Sequence, residues 1–165
     1  MNCLDIVYYI PSRKVALGRR PTTFTVAVTN YDLCTEEYWL IGEVDNPKLD
    51  INLILRRYED VIAFITKTVK GYHIYTNVHH RNPLKVIHLG YKMGFLDRHH
   101  LKIGKKRGSH YLALRVYGKY VDNPYVTPVI VIDRNLSRWH YQVLTLIRDS
   151  LVGLTDVPTE LSLTV

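Results

Sequence analysis

Long hydrophobic runs and C-x-x-C cysteine motifs are both missing from this chain of 165 residues. No apolar run approaches the ~18–20 residues that a membrane-spanning helix requires, so we expect no membrane span. The two cysteines, Cys3 and Cys34, form no C-x-x-C pair, and we expect neither a zinc site nor a disulfide framework from them. Asp5 interrupts the first apolar stretch and no small-residue cleavage site follows, so we expect no secretory signal. These absences predict a cytoplasmic protein in a reducing compartment.

Acidic residues are scarce relative to basic ones. The chain has 15 Asp and Glu against 22 Lys and Arg, a net charge of +7 and an isoelectric point near 9.4. This excess favours a polyanionic partner, nucleic acid first and an anionic membrane second; an inert basic surface is the alternative. Hydrophobic content of 47% and charged content of 22% are typical of a folded protein. We expect one domain over residues 1–153 and a flexible tail over residues 154–165.

Hydrophobic patterns divide the chain into strands and helices. Strands are predicted at Thr22–Thr29, Tyr38–Val44, Val61–Thr68, Tyr72–Asn77, Tyr111–Tyr117 and Thr127–Asp133. Helices are predicted at Leu49–Glu59, at Asn82–Met93, and from Ser137 to a stop before Gly153. The polar, basic segment Asp97–Ser109 shows no periodicity and is expected to be a loop. Because strands and helices do not alternate strictly, we expect an α+β fold with a mixed, largely antiparallel sheet and flanking helices.

An acid pair, Glu43 and Asp45, stands at the end of the predicted strand Tyr38–Val44. A strand directs alternate side chains to one face, so we expect the two carboxylates to emerge on one patch. Carboxylates held together repel each other unless a cation lies between them, which favours a site for Mg²⁺ or Mn²⁺. In the alternative, one carboxylate caps the turn at Asn46-Pro47 and the other is solvated.

Two later motifs and one arginine supply further candidate residues. His73 lies on a predicted hairpin strand, after a basic, glycine-containing turn that includes Lys70 and whose backbone can approach a phosphate closely. Asp133 ends the apolar run Val129–Ile132, where it either joins the acidic site or caps the following helix. Arg115 lies on the strand between these motifs, as a candidate for a forked contact with a triphosphate or a template; a solvent-facing arginine is the alternative.

The acid pair, the segment K-T-V-K-G-Y-H-I-Y at residues 67–75 and the strand ending in Asp133, in this order, resemble the archaeo-eukaryotic primase superfamily. The middle motif is similar to that of small plasmid and viral primase-polymerases, and the resemblance covers about residues 36–135. It implies an RRM-like catalytic core in which Glu43, Asp45 and Asp133 bind two Mg²⁺ or Mn²⁺ ions. It also implies that His73, with Lys70 nearby, contacts the phosphates of the incoming nucleotide.

The reaction implied by this resemblance is template-directed addition of a nucleotide to a 3′-hydroxyl, with release of pyrophosphate. The implied partners are nucleoside triphosphates, a single-stranded or primed DNA template and a further replication protein. The first acid is Glu43, where the superfamily usually has aspartate, and the chain is short and lacks a cysteine-rich zinc element. These departures favour extension of a primer over initiation of a strand.

The densest basic stretch supplies candidates for nucleic-acid contacts, with a solvated loop as the alternative. They are Arg98, Lys102, Lys105, Lys106 and Arg107. The pairs His79-His80 and His99-His100 lack partner ligands at zinc spacing, so no zinc site is expected. A catalytically inactive relative that binds single-stranded nucleic acid, and a structural protein of a mobile element, are the alternative functions. A rolling-circle replication endonuclease is disfavoured because His73-Ile74-Tyr75 is not a His-x-His pair.

Overall fold

The computed structural model describes residues 1–9, 25–46, 48, 50–68, 71–107, 112–117, 129–131 and 136–155. The strands are β1 Leu4–Tyr9, β2 Thr25–Asp32, β3 Glu37–Val44, β4 Ile62–Lys67, β5 Tyr72–His80, β6 Ala113–Tyr117 and β7 Val129–Val131. The helices are α1 Ile51–Tyr58, α2 Pro83–Lys92, α3 Arg98–Arg107 and α4 Arg138–Thr155. Every strand pairing in these ranges is antiparallel, so the predicted α+β class and largely antiparallel sheet are confirmed.

The sheet divides at β2. Its strand order is β1, β2, β3, β5, β4, β7, and β6 also pairs with β2. β3 pairs with only the last two residues of β2, beside the turn that joins the two strands. The preceding residues of β2 pair with β6 instead. Asn30 lies at this fork, where its side-chain amide donates to the carbonyl of Trp39 (2.9 Å) and its Oδ1 accepts the N–H of Leu112 (2.9 Å). Beyond the fork β3 belongs to a second branch of the sheet.

That second branch is built on a split β-α-β unit. β5 lies between β3 and β4 and is antiparallel to both, while α1 connects β3 to β4. This is the arrangement that an RRM-like core requires of these strands. One core cluster includes Leu40, Ile74 and Val86 of α2, with residues of α1 packed against it. The other contains Tyr75 of β5 and the buried face of α4, including Trp139.

The segment predicted as a loop at Asp97–Ser109 is instead helical over α3, so that prediction is wrong. Asp97 caps the helix, because its side chain accepts the backbone N–H of His100 (3.1 Å). Leu101 packs against the core. The basic residues around Leu101 obscure the helical spacing of apolar residues in the sequence. The strand β1 was also not predicted.

The final helix begins as predicted and ends later. Ser137 Oγ accepts the N–H of His140 (3.2 Å), and α4 then continues through Gly153 to Thr155, so the predicted stop before Gly153 is wrong. An interior glycine costs a helix only about 1 kcal/mol, and apolar residues continue at helical spacing to Leu154. Residues 156–165 lie outside the described ranges. None of the helices described here is both long and apolar enough to cross a membrane.

Cys3 and Cys34 are joined by a disulfide, which contradicts the expectation that these two cysteines do not pair. Their separation of 31 residues gave no local signal. The antiparallel pairing of β1 with β2 places Leu4 opposite Asp32, and this brings Cys3 next to the turn that contains Cys34. Because disulfides are rare in most reducing compartments, the cysteines no longer support the expectation that the protein lies in a reducing compartment.

Candidate functional site

One row of side chains crosses the second branch of the sheet and unites two of the sequence motifs. Glu43 of β3 is paired with His73 of β5, and His73 is paired with Thr66 of β4. Directly paired residues of an antiparallel sheet share a face, so these three side chains lie side by side. In the next row Tyr75 joins the core beneath α4, so among the described residues the Glu43 row borders that core.

The turn of the β4–β5 hairpin presses against the end of β3. A Cβ atom on Gly71 would lie 1.8 Å from the carbonyl oxygen of Val44, so only glycine fits there. Thr68 fixes the turn, because its N–H donates to the carbonyl of Gly71 (2.8 Å) and its Oγ1 accepts the N–H of Gly71 (3.0 Å). The glycine of the middle motif thus sets the distance between that motif and the acid pair.

The loop after α2 fixes the other edge of β3 at the same level. The N–H of Glu43 points away from β5 and donates to the carbonyl of Phe95 (2.9 Å). A Cβ atom on Gly42 would lie 2.5 Å from the Cβ of Phe95, so Gly42 permits this approach. The backbone of Glu43 is therefore held from both sides.

Glu43 belongs to a chain of three ionisable groups, and the other two, Asp97 and His100, lie at the start of α3. His100 Nε2 lies 3.2 Å from Glu43 Oε2, and His100 Nδ1 lies 2.7 Å from Asp97 Oδ1. The hydrogen bond to Glu43 is the main cause that raises the pKa of His100, against the opposing effect of burial. A doubly protonated imidazole satisfies both carboxylates, since each ring nitrogen then donates.

The same contacts keep Glu43 ionised. Burial raises the pKa of Glu43, but the hydrogen bond from His100 and the electrostatic interactions with His73, His100 and Arg115 outweigh burial, and the pKa is lowered overall. The side chain of Glu43 is 25% exposed. The result is a half-buried carboxylate that is anionic at neutral pH and reachable from solvent.

Arg115 acts electrostatically on the row from the first branch of the sheet. It lies on β6, opposite Ala27 of β2, and is half-buried rather than solvent-facing. Its positive charge lowers the pKa of both Glu43 and His73, which places it within electrostatic range of both groups. The two branches of the sheet thus contribute opposite charges to one site.

His73 lies beneath this site. It is 1% exposed, and burial, with smaller contributions from Arg115 and His100, lowers the pKa of His73 to about 4 despite the opposing charge of Glu43. The imidazole is therefore neutral at pH 7. The contact with nucleotide phosphates that the resemblance implies stays a prediction, since the ring is covered in this structure.

We expect His73 to make the protein sensitive to acid. The pKa of His73 is about 4 in the folded chain and 6.5 in the unfolded chain, so the unfolded chain binds more protons between these values. The free energy of unfolding should therefore fall by about 3 kcal/mol from this group as the pH drops from 7 to 4. Urea unfolding without divalent ions, for wild type and His73→Gln, measures the contribution.

The variant supplies the control for other titrating groups. Glu43 and His100 titrate in both proteins, so the difference between the two pH profiles isolates position 73. We expect His73→Gln to lose less stability than wild type between pH 7 and pH 4. Parallel profiles would contradict a buried, neutral His73.

Of the other predicted site residues, some are exposed and some lie outside the described part of the chain. Asp45 follows the last residue of β3 and is exposed. Lys70 and Asp133 lie outside the described residues, so their roles stay predictions. Arg98 and Lys102 are exposed on α3, while the side chains of Lys105, Lys106 and Arg107 lie outside the described part of the chain.

Asp97 and His100 are the residues that the sequence interpretation missed. The signal that points to them is the Asp-x-x-His spacing at the start of a helix, where the cap residue and the third residue after it meet. The interpretation of this segment as a loop concealed that spacing. The contact between His100 and Glu43 joins residues 57 positions apart and leaves no local pattern.

The end of β3 carries oxygen atoms of the kind that a hard divalent cation binds. Glu43 offers an ionised carboxylate, whose Oε2 atom is in contact with His100. The buried hydroxyl of Thr66, in the same row, has no hydrogen-bond partner among the described residues. Among the described residues, the group whose metal-ligating atoms all lie within 4.8 Å of one another is Cys3, Asp32 and Cys34, and there the disulfide removes both thiolates.

Comparisons of the chain with protein-family models, with curated proteins and with solved structures found no match in any of the three.

Proposed function

We propose that this protein is a metal-dependent nucleotidyltransferase of the primase-polymerase type, which adds nucleotides to the 3′-hydroxyl of a primed template. The observation that carries the proposal is the row in which Glu43 and His73 are directly paired, with His100 and Arg115 acting on the same carboxylate. An ionised carboxylate can bind a divalent ion, and the cationic groups beside it can receive the phosphates of a triphosphate.

Glu43 and Asp45, with Asp133 as the predicted third carboxylate, would hold Mg²⁺ or Mn²⁺. The bound ions would neutralise charge on the transferring phosphoryl group and lower the pKa of the attacking hydroxyl. Arg115 is fixed in charge and offers a forked contact to phosphate oxygens. His100, oriented by Asp97, keeps Glu43 ionised and adds positive charge near it. His73 supports Glu43 from the neighbouring strand.

A cytoplasmic location is part of the proposal, because nucleotides and template are found there. The disulfide between Cys3 and Cys34 restricts the class of organism in which a cytoplasmic location is expected. Intracellular disulfides are uncommon in mesophiles but frequent in hyperthermophilic archaea and bacteria. A partner replication protein would then supply the functions that a core of this size lacks.

Binding of single-stranded nucleic acid without transfer is the second candidate function. The contact between His100 and Glu43 favours it, because an imidazolium close to the carboxylate neutralises the charge that would attract a cation. Asp45 is exposed and lies beyond the end of β3, which makes it a less constrained ligand than Glu43.

A primer-extension assay tests the proposal. Protein is incubated with a labelled primer on a longer template, Mn²⁺ or Mg²⁺, and either deoxy- or ribonucleoside triphosphates. We expect addition that depends on the metal and on the templating base. A folded protein that binds the primed template but adds no nucleotide under any of these conditions would favour the second candidate.

A further inference from the structure

An apolar groove flanked by basic residues lies between the carboxyl end of β5 and α2, and we call it the α2 groove. Its volume is about 590 Å³, within the ~300–1,000 Å³ that ligand sites occupy. Five of its nine lining residues are lysine or histidine and four are aliphatic; the five are His79, His80, Lys85, His88 and Lys92. No carboxylate lines the groove among the described residues.

The helix presents its basic groups as one stripe. Lys85, His88 and Lys92 are spaced three and four residues apart, which places them on one face over about 10 Å of helix. All three are exposed. Leu89 lies on the same face and is 38% exposed, so the stripe combines positive charge with an apolar surface. An extended polyanion can follow such a stripe.

The strand side of the groove supplies one imidazole ring, that of His80, because the ring of His79 packs edge-on against Trp39 on the other face of the sheet. The Nδ1 atom of His80 accepts the N–H of Asn82 (2.8 Å), so a neutral His80 carries its proton on Nε2 and can donate from there. The side chain of His79 is 48% exposed and lies 2.5 Å from Glu37. Glu37 is thereby held by His79, which limits its repulsion of an anion in the groove.

We propose that the α2 groove binds single-stranded nucleic acid. Ammonium groups that follow the backbone and aromatic rings that stack on bases are the two elements of such sites, and histidine can serve as a stacking ring. A membrane surface fits less well, because a helix that lies on a bilayer exposes a broad apolar face. The α2 face toward solvent carries instead Lys85, His88 and Lys92.

The groove is separate from the Glu43 row. His73 and His79 lie on the same strand, six residues apart, which corresponds to about 20 Å of strand. The α2 groove does not depend on the proposed transfer reaction, and it can be tested in a protein with no activity.

The test uses fluorescence anisotropy with a labelled oligothymidylate of about 12 nucleotides. The full chain is compared with Lys85→Glu/Lys92→Glu and with the control Lys48→Glu/Arg56→Glu, whose exposed residues give the same change of net charge. We expect the groove variant to bind about tenfold more weakly, and its dependence of log K on log salt to be shallower by about 1.4, or 0.7 per phosphate contact. The control should retain the wild-type affinity and slope.

Two further probes identify the chemistry of the occupant. An abasic oligonucleotide of equal length measures stacking, and polyglutamate of equal charge measures attraction to any polyanion. We expect the oligothymidylate to bind more tightly than either. Equal weakening by the two double variants, equal binding of polyglutamate, or no binding by wild type would each overturn the proposal.

Discussion

Replacing Glu43 by glutamine should reduce nucleotide addition by about a thousandfold, which corresponds to about 4 kcal/mol of transition-state stabilisation. The substitution keeps the shape of the side chain and removes the charge that a divalent ion requires. The backbone of Glu43 is held by Phe95 and by the pairing with β5, so the strand should keep its position. The measurement is the single-turnover rate of one-nucleotide addition to a primed template with Mn²⁺.

Glu59→Gln is the matched control, because Glu59 is exposed beyond α1 and undergoes the same chemical change. We expect the control to keep the wild-type rate. Circular dichroism and urea unfolding establish that Glu43→Gln is folded. A folded Glu43→Gln protein with an undiminished rate would show that this carboxylate does not take part in transfer.

Replacing Gly71 by alanine should destabilise the protein by about 4 kcal/mol, above the usual ~1–3 kcal/mol for overpacking. The added Cβ would lie 1.8 Å from the carbonyl oxygen of Val44 and 2.8 Å from the backbone nitrogen of Asn46. Backbone atoms cannot rotate away as a flexible side chain can. The hairpin turn and the end of β3 must therefore separate, which also displaces Glu43 and Asp45.

Gly94→Ala is the control for this change. Gly94 has a φ of +81° and nothing within 4 Å of an added Cβ, so only the strain of the left-handed backbone applies. That strain costs about 1–2 kcal/mol. Urea unfolding at pH 7 compares the two variants. Equal losses at the two positions would mean that the close approach of Gly71 to β3 does not contribute to the fold.

Local patterns were sufficient for most of the individual elements. The alternating and β-branched segments became β2, β3, β4 and β5, and the helical spacing of apolar residues after Leu49 and after Pro83 became α1 and α2. These features depend on neighbouring residues, which the sequence displays directly. The α3 helix was missed because basic and polar residues surround Leu101, so its sequence shows no apolar stripe; its cap at Asp97 was not recognised either.

Long-range geometry was beyond what the sequence displays. The pairing of Glu43 with His73 depends on β5 inserting between β3 and β4, which no local pattern specifies. The disulfide depends in the same way on the register of β1 with β2. The burial of the His73 ring beside Glu43 was likewise not visible in the sequence, and its contact with a nucleotide stays a prediction. The acidic motif could be found from sequence, whereas its partner His100 could not.

Binding of Mn²⁺ tests the central claim most directly. Electron paramagnetic resonance counts free Mn²⁺ as the metal is titrated into the protein with a nucleoside triphosphate present. The reference sample contains the triphosphate alone, since nucleotides bind Mn²⁺ themselves. We predict that wild type binds additional Mn²⁺ and that folded Glu43→Gln/Asp45→Asn does not. Equal binding by the two proteins, or no binding beyond the nucleotide by wild type, would contradict a metal site at the end of β3.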